Sequence, residues 1–309
     1  MEPPVRVDRE QAGSAHWIGT HLQQFGGWSD GVCPAGQAAQ RTFEQSVTVV
    51  STGTHLQQSG GLSGGKILGA NSETCLEIRD RGIMWMHDAD SRRGQELALW
   101  SVLAAANYNY IIEWRFRDDG VISSRIGATG APAGGDTHVH GPLWRLDIDL
   151  NGACCDTVTH MSHKEMGLTG VDSMADLNNA TGLKWDPVAY DTLHIRDAVL
   201  KNGNGKPSMW MFMPERSGTP VHQEPFTQMV FWVTPYVWNQ TDGAQLPSYV
   251  ANRPNTANTD TVVWYYGGLH HVIRDEDNAP DGWSQMTLTM YEGVHLMPFN
   301  LWSSTPFYP

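Results

Sequence analysis

The segment Leu143-Trp144-Arg145-Leu146-Asp147-Ile148-Asp149-Leu150 decides the fold class. From Leu146 onward, apolar and polar residues alternate, and a period of two belongs to a strand with one buried face. The alternation turns Leu146, Ile148 and Leu150 toward a core and leaves Asp147 and Asp149 together on the other face. The same texture recurs in both directions from this segment. TCLEIRD (74–80), ELALWSVLAA (96–105), YIIEWRFR (110–117), TLHIRDAVL (192–200) and SMWMFMP (208–214) are rich in β-branched and aromatic residues. So are QMVFWVTPYVW (228–238), DTVVWYYGGLHHVI (260–273) and SQMTLTMYEGVHLMPFNLW (284–302). RDRG (79–82), RDDG (117–120), DLNG (149–152), NGNGKP (202–207) and NQTDG (239–243) read as turns between them. No long stretch keeps a 3.6-residue period. The one short helical candidate is TGVDSMADLNNATGL, 169–183. The expected fold is all-β, a large antiparallel β-sandwich with long loops.

Residues 1–66 differ in character. They are rich in Gly, Gln, Ser and Thr and contain a near-duplicate, GTHLQQFGGWSDG (19–31) and GTHLQQSGGLSGG (53–65). Two copies are too few for a solenoid. This region is expected to be loop-rich, with His21 and His55 as loop histidines, and a single β-sandwich domain is expected over 67–309. The formal net charge is −13. It offers no basic excess for nucleic acid or anionic lipid and is compatible with cationic small substrates. No apolar run is long enough to span a membrane, and the first residues carry no apolar signal core. Cys33, Cys75, Cys154 and Cys155 are too few for a disulfide scaffold. Asn-x-Ser/Thr triplets at Asn179 and Asn239 would accept glycans in a secretory compartment. The compartment is left open by the sequence.

Four constellations carry chemistry. In Thr137-His138-Val139-His140 the two histidines project from one face of a strand and can reach one ion, for which imidazole suits copper, zinc, iron and nickel. The alternative is a pair of surface histidines. Asp147 and Asp149 either face solvent or share a hard cation such as calcium. Asn107-Tyr108-Asn109-Tyr110 opens a strand, where tyrosines ordinarily pack. Gly267-Gly268-Leu269-His270-His271 precedes a charged turn, Arg274-Asp275-Glu276-Asp277, and offers a third histidine.

Taken together and in order, these segments resemble the copper amine oxidase family. The resemblance rests on TCLEIRDRGIMWMH (74–87), Asn107-Tyr108, YIIEWRFRDDGVISSRIGATG (110–130), His138-Val139-His140, RLDIDLNG (145–152) and DTVVWYYGGLHHVIRDED (260–277). It covers roughly residues 70–309. It implies that Tyr108 is the precursor of the quinone cofactor topaquinone, that Asn107 flanks it, and that His138, His140 and His271 bind copper(II). His271 matches the family's ligand better than His270. The resemblance further implies a second metal site, usually calcium, from Asp147, the carbonyl of Ile148, Asp149, Asp260 and the carbonyl of Thr261. The implied reaction is oxidative deamination of a small primary amine by dioxygen, giving aldehyde, ammonia and hydrogen peroxide, in a homodimer. Three features depart from the family pattern. Asn109 stands where an acid is usual. The segment between GATG and His-x-His is short. The family's catalytic aspartate would fall near residues 20–30, where Asp30 is the one carboxylate and no matching motif surrounds it. The alternatives are therefore a catalytically impaired copper-binding relative or a non-enzymatic β-sandwich binding module.

Overall fold

A computed structural model of the chain describes residues 47–50, 66–68, 74–105, 108–130, 137–166, 169–215, 224–277 and 287–306. The strands in chain order are β1 Val47–Val50, β2 Lys66–Leu68, β3 Thr74–His87, β4 Asp90–Ala105, β5 Tyr108–Arg117, β6 Ile122–Gly130, β7 His138–Asp147 and β8 Asp156–Met166. They continue as β9 Thr169–Asp176, β10 Thr181–Leu183, β11 Thr192–Lys201, β12 Pro207–Pro214, β13 Phe231–Pro235, β14 Thr261–Tyr266, β15 Leu269–His271 and β16 Thr287–Phe299. One short helix, α1 Leu246–Val250, lies among them.

Every pairing between these strands is antiparallel. The larger sheet has ten strands in the order β2-β3-β4-β5-β6-β16-β12-β11-β8-β9. The smaller sheet has six, in the order β1-β7-β14-β13-β10 with β15 added alongside β7. One apolar cluster takes residues from both sheets, among them Tyr110, Trp114 and Phe212 from the larger and Trp144, Val263 and Tyr265 from the smaller. Shared burial of this kind is what holds two sheets face to face. Two polar groups inside it are paired across the sandwich. Trp144 Nε1 donates to Ser124 Oγ at 3.0 Å, and the Tyr265 hydroxyl donates to Glu292 at 2.5 Å. The fold is thus the all-β antiparallel sandwich expected from the sequence.

The run TVVWYY of β14 is buried at all six positions. Its inner face enters the shared core. Its outer face, with Val262, Trp264 and Tyr266, joins a second cluster with Phe226, Trp232 and Leu246 of α1. A strand covered on both faces loses its polar alternation.

Two local expectations are corrected. RDRG is not a turn: β3 runs through it, and the pairing register with β4 shifts between Asp80 and Gly82. Gly82 takes φ 73° there, so the segment is a bulge in a long hairpin whose turn lies at Asp88–Ala89. The segment 169–183 is not helical either. It forms β9 and β10, with β9 laid along β8 from Met166↔Thr169 to Thr159↔Asp176. Its Gly, Thr and Asn residues are weak helix formers, and pairing with β8 supplies the backbone partners instead.

Candidate metal centre and its tyrosine

His138 and His140 lie two residues apart on β7 and share a face. β15 adds antiparallel to this strand with His271 directly opposite His138 and Leu269 opposite His140. One nitrogen from each of the three rings lies within 4.8 Å of the others. His140 and His271 are buried, whereas His270 is exposed because it points to the opposite side of the strand. Tyr108 enters from the other sheet, on β5. Its hydroxyl lies 2.8 Å from His138 Nε2 and 2.9 Å from His271 Nδ1, and the residue is 3 % exposed. The ring meets that of His140 edge-on, with centroids 4.4 Å apart.

Two groups orient the imidazoles, and the sequence reading gave neither a role at the site. The Tyr110 hydroxyl lies 2.9 Å from His140 Nδ1, on the ring edge away from His138. Asp277, buried at the end of the charged turn, lies 3.4 Å from His271 Nε2 and accepts from the Arg274 backbone at 3.0 Å and its guanidinium at 2.9 Å. Tyr110 follows Tyr108 at i+2, so its facing was readable from strand period. The Asp277 contact depends on a turn whose path the sequence did not disclose. Burial, reinforced by the positive charge His138 and His271 would carry, pushes His140 down to about 3. Burial also lowers His271, opposed by Asp277. These two rings are therefore neutral at physiological pH, the form that can bind a metal.

The acidic residues gather elsewhere in the smaller sheet. β7 pairs β14 with Asp147 opposite Val262, which brings Asp147 and Asp149 to the end of β14 that Asp260 precedes. One oxygen from each of the three lies within 4.8 Å of the others. Asp260 Oδ1 is buried and accepts no hydrogen bond. Burial and then the Asp149 charge push Asp260 up to about 6, Arg145 opposing. Asp156, which the sequence reading passed over, is fully buried with neither oxygen hydrogen-bonded. It is pushed up to about 8 by burial first and then by Asp149, Asp197, Asp260 and Asp147. Oxygen donors this concentrated, with orphaned buried atoms among them, fit a hard cation. Asn107 and Asp30 lie outside the described residues.

The family described as copper amine oxidase, enzyme domain, matches residues 61–135 and 131–308. The primary amine oxidase of Arthrobacter sp. (strain P1) is 26% identical over 256 residues, covering 66% of this chain and 40% of that protein. The copper-containing amine oxidase gamma 1 of Arabidopsis thaliana is 24% identical over 312 residues, covering 78% and 43%. The chain thus spans about two-fifths of the length of these curated relatives. Among solved structures, a copper-containing benzylamine oxidase from Hansenula polymorpha superposes with a TM-score of 0.65 at 19% identity, over 76% of this chain and 45% of its own. The Aspergillus nidulans amine oxidase gives 0.62 at 18% identity, over 86% and 40%. With the whole of 61–308 matched, the chain belongs to the copper amine oxidase family and carries its enzyme domain.

Proposed function

We propose that residues 67–309 form a copper- and topaquinone-dependent primary amine oxidase domain, converting a small primary amine and dioxygen to aldehyde, ammonia and hydrogen peroxide. One observation carries this reading: a buried tyrosine hydroxyl within hydrogen-bond distance of two imidazoles in a three-histidine cluster. Three imidazoles alone would equally suit zinc or iron. The tyrosine among them is what favours the self-processing chemistry of this family.

His138, His140 and His271 would hold copper. A bound copper ion would supply the redox chemistry by which dioxygen, the oxidant, turns Tyr108 into topaquinone. The protein's own part is positioning and shielding. Tyr110 and Asp277 fix the orientation of two ligand rings, and burial keeps bulk water from the Tyr108 ring. Asn107 is assigned to flank that ring, and Asp30 is the candidate base. Substituting Asp277→Asn should weaken copper binding about 10–100-fold, the usual cost of losing a group that orients a ligand. A competition titration against a chelator measures it, and unchanged affinity would remove Asp277 from the site. A homodimer is proposed from the family, and Ile78, Ile83 and Met86 on the β3–β4 hairpin offer exposed apolar surface for it.

Asp147, Asp149 and Asp260, with the carbonyls of Ile148 and Thr261, would hold calcium. The pH dependence follows from Asp156 and Asp260. Both have native values raised above the ordinary 3.8, so the native state binds more protons than the unfolded chain. Calcium-free protein should lose stability as pH rises from about 4 to about 8, and calcium should restore it by occupying the site the protons leave. Melting curves in chelator and in calcium test this; parallel pH profiles would exclude a shared cation.

A second reading, a copper-binding relative that forms its quinone but turns over slowly, is favoured by the sequence near 20–30, where Asp30 stands without the family motif. Loss of a general base costs about 10²–10⁴ in rate. Phenylhydrazine labelling reports the quinone, and peroxide release from simple amines separates the two readings. No labelling of copper-loaded protein rejects both.

A further inference from the structure

Outside the histidine cluster, the described residues place two neighbouring cysteines together. Cys154 and Cys155 end the loop between β7 and β8, and their sulfurs lie 2.9 Å apart. Cys154 is exposed and Cys155 half-buried. The loop is tightly wound. Asn151, Gly152 and Cys155 all have positive φ, at 67°, 135° and 76°. Its end is anchored: the Cys155 carbonyl accepts from the Ala198 backbone at 3.0 Å, and Asp156 exchanges backbone hydrogen bonds with Thr259. The backbone of the pair is thus fixed at its β8 end, and the two sulfurs sit within reach of each other. Cys75, the other described cysteine, is buried on β3 and has no part in this pair.

We propose that Cys154 and Cys155 are a redox-modification site, a vicinal dithiol that peroxide closes reversibly to a vicinal disulfide. The sulfurs need to approach by less than about 1 Å to reach the S–S bond length of about 2.05 Å. In the first step the Cys154 thiolate attacks one peroxide oxygen, the O–O bond breaks, and hydroxide leaves as water after taking a proton. In the second, the Cys155 sulfur attacks the resulting sulfenic sulfur, the S–S bond forms, and the sulfenic oxygen departs as a second water. Two thiols are oxidised by two electrons, and one peroxide is reduced to two waters. Consecutive Cα atoms stand about 3.8 Å apart across a trans peptide. Ordinary disulfides span about 4.4–6.8 Å. The closed ring is therefore strained and easily reduced, which suits a signal more than a staple. The Cys155 thiol is pushed up by its hydrogen bond to Cys154, then by burial and by the charges of Asp197 and Asp156. The more exposed Cys154 is accordingly the sulfur that meets the oxidant first.

That the domain's own turnover would supply the peroxide rests on the amine-oxidase reading; closure itself does not. The test treats the metal-free full-length chain with stoichiometric hydrogen peroxide, alkylates the remaining thiols and maps the peptides. The peptide carrying Cys154 and Cys155 is expected to lose two hydrogens, about 2 Da, resist alkylation, and regain both thiols with dithiothreitol. Cys75 should stay alkylatable. In Cys155→Ser protein given excess peroxide, at least two equivalents per thiol, Cys154 should instead advance to the sulfinic acid, a change the reductant does not reverse. Oxygen gain at Cys154 in the unaltered chain, or a cross-link to Cys33, Cys75 or a second chain, would overturn the proposal. A second arm adds a primary amine to copper-loaded protein. If added peroxide closes the pair and amine does not, the dithiol assignment stands and the amine-oxidase reading is the one that fails.

Discussion

Replacing Tyr108 with phenylalanine should leave copper bound while abolishing the visible quinone band and phenylhydrazine labelling. The substitution removes one oxygen from a side chain that is 3 % exposed and packed between β5 and three imidazoles. The ring keeps its volume, so the core keeps its packing. The lost hydroxyl contacts cost about 0.5–1.5 kcal/mol each, which a domain of this size tolerates. Without a phenol there is nothing to oxidise to a quinone, so any amine turnover should fall by at least about 10⁶, the lower end of enzymatic acceleration. Copper analysis and the absorption spectrum are read on the same sample. A quinone band in the phenylalanine variant would mean that another tyrosine is the precursor. Tyr110, two residues along the same face, would be the first to examine.

The second large effect is expected at His271. Substituting His271→Ala should eliminate stoichiometric copper, whereas His270→Ala should retain it. The two are adjacent and chemically identical, so composition cannot separate them. Their facing does: His271 is fully buried against Tyr108 and His138, and His270 points outward. His138→Ala should behave like His271→Ala. Copper retained in His271→Ala and lost in His270→Ala would reverse the assignment and imply a one-residue slip of β15 against β7.

Much of this architecture could be read from the chain because strands advertise themselves by alternation. Leu146, Ile148 and Leu150 are buried as their period of two requires. The period is absent where burial is two-sided, as along β14, which its β-branched and aromatic residues still mark as a strand, and it misled where a glycine absorbs an extra residue, as at Gly82. It also missed β8, whose DTVTHMSHKEM carries no strong apolar face. At the site, the sequence could name residues that share a strand, but contacts between strands far apart in the chain have no local signature. Asp277, six residues from His271, was hidden instead by the path of its turn, and Asp156 falls in this class. The first reaches a ring across its own turn. The second is recognisable only by its burial among other carboxylates, which no spacing foretells.

Tyr108 belongs to one sheet and its three histidines to the other, and 163 residues separate it from His271. The chain is made from its N-terminus, so the tyrosine leaves the ribosome long before the third imidazole exists. It then waits on the closure of the whole sandwich, a late event for contacts this distant in sequence. Under the proposed function, acquisition of the metal-tyrosine centre would therefore act as a clock for folding. A nascent chain stalled before residue 271 should hold neither tight copper nor any modified tyrosine, whatever its exposure to air.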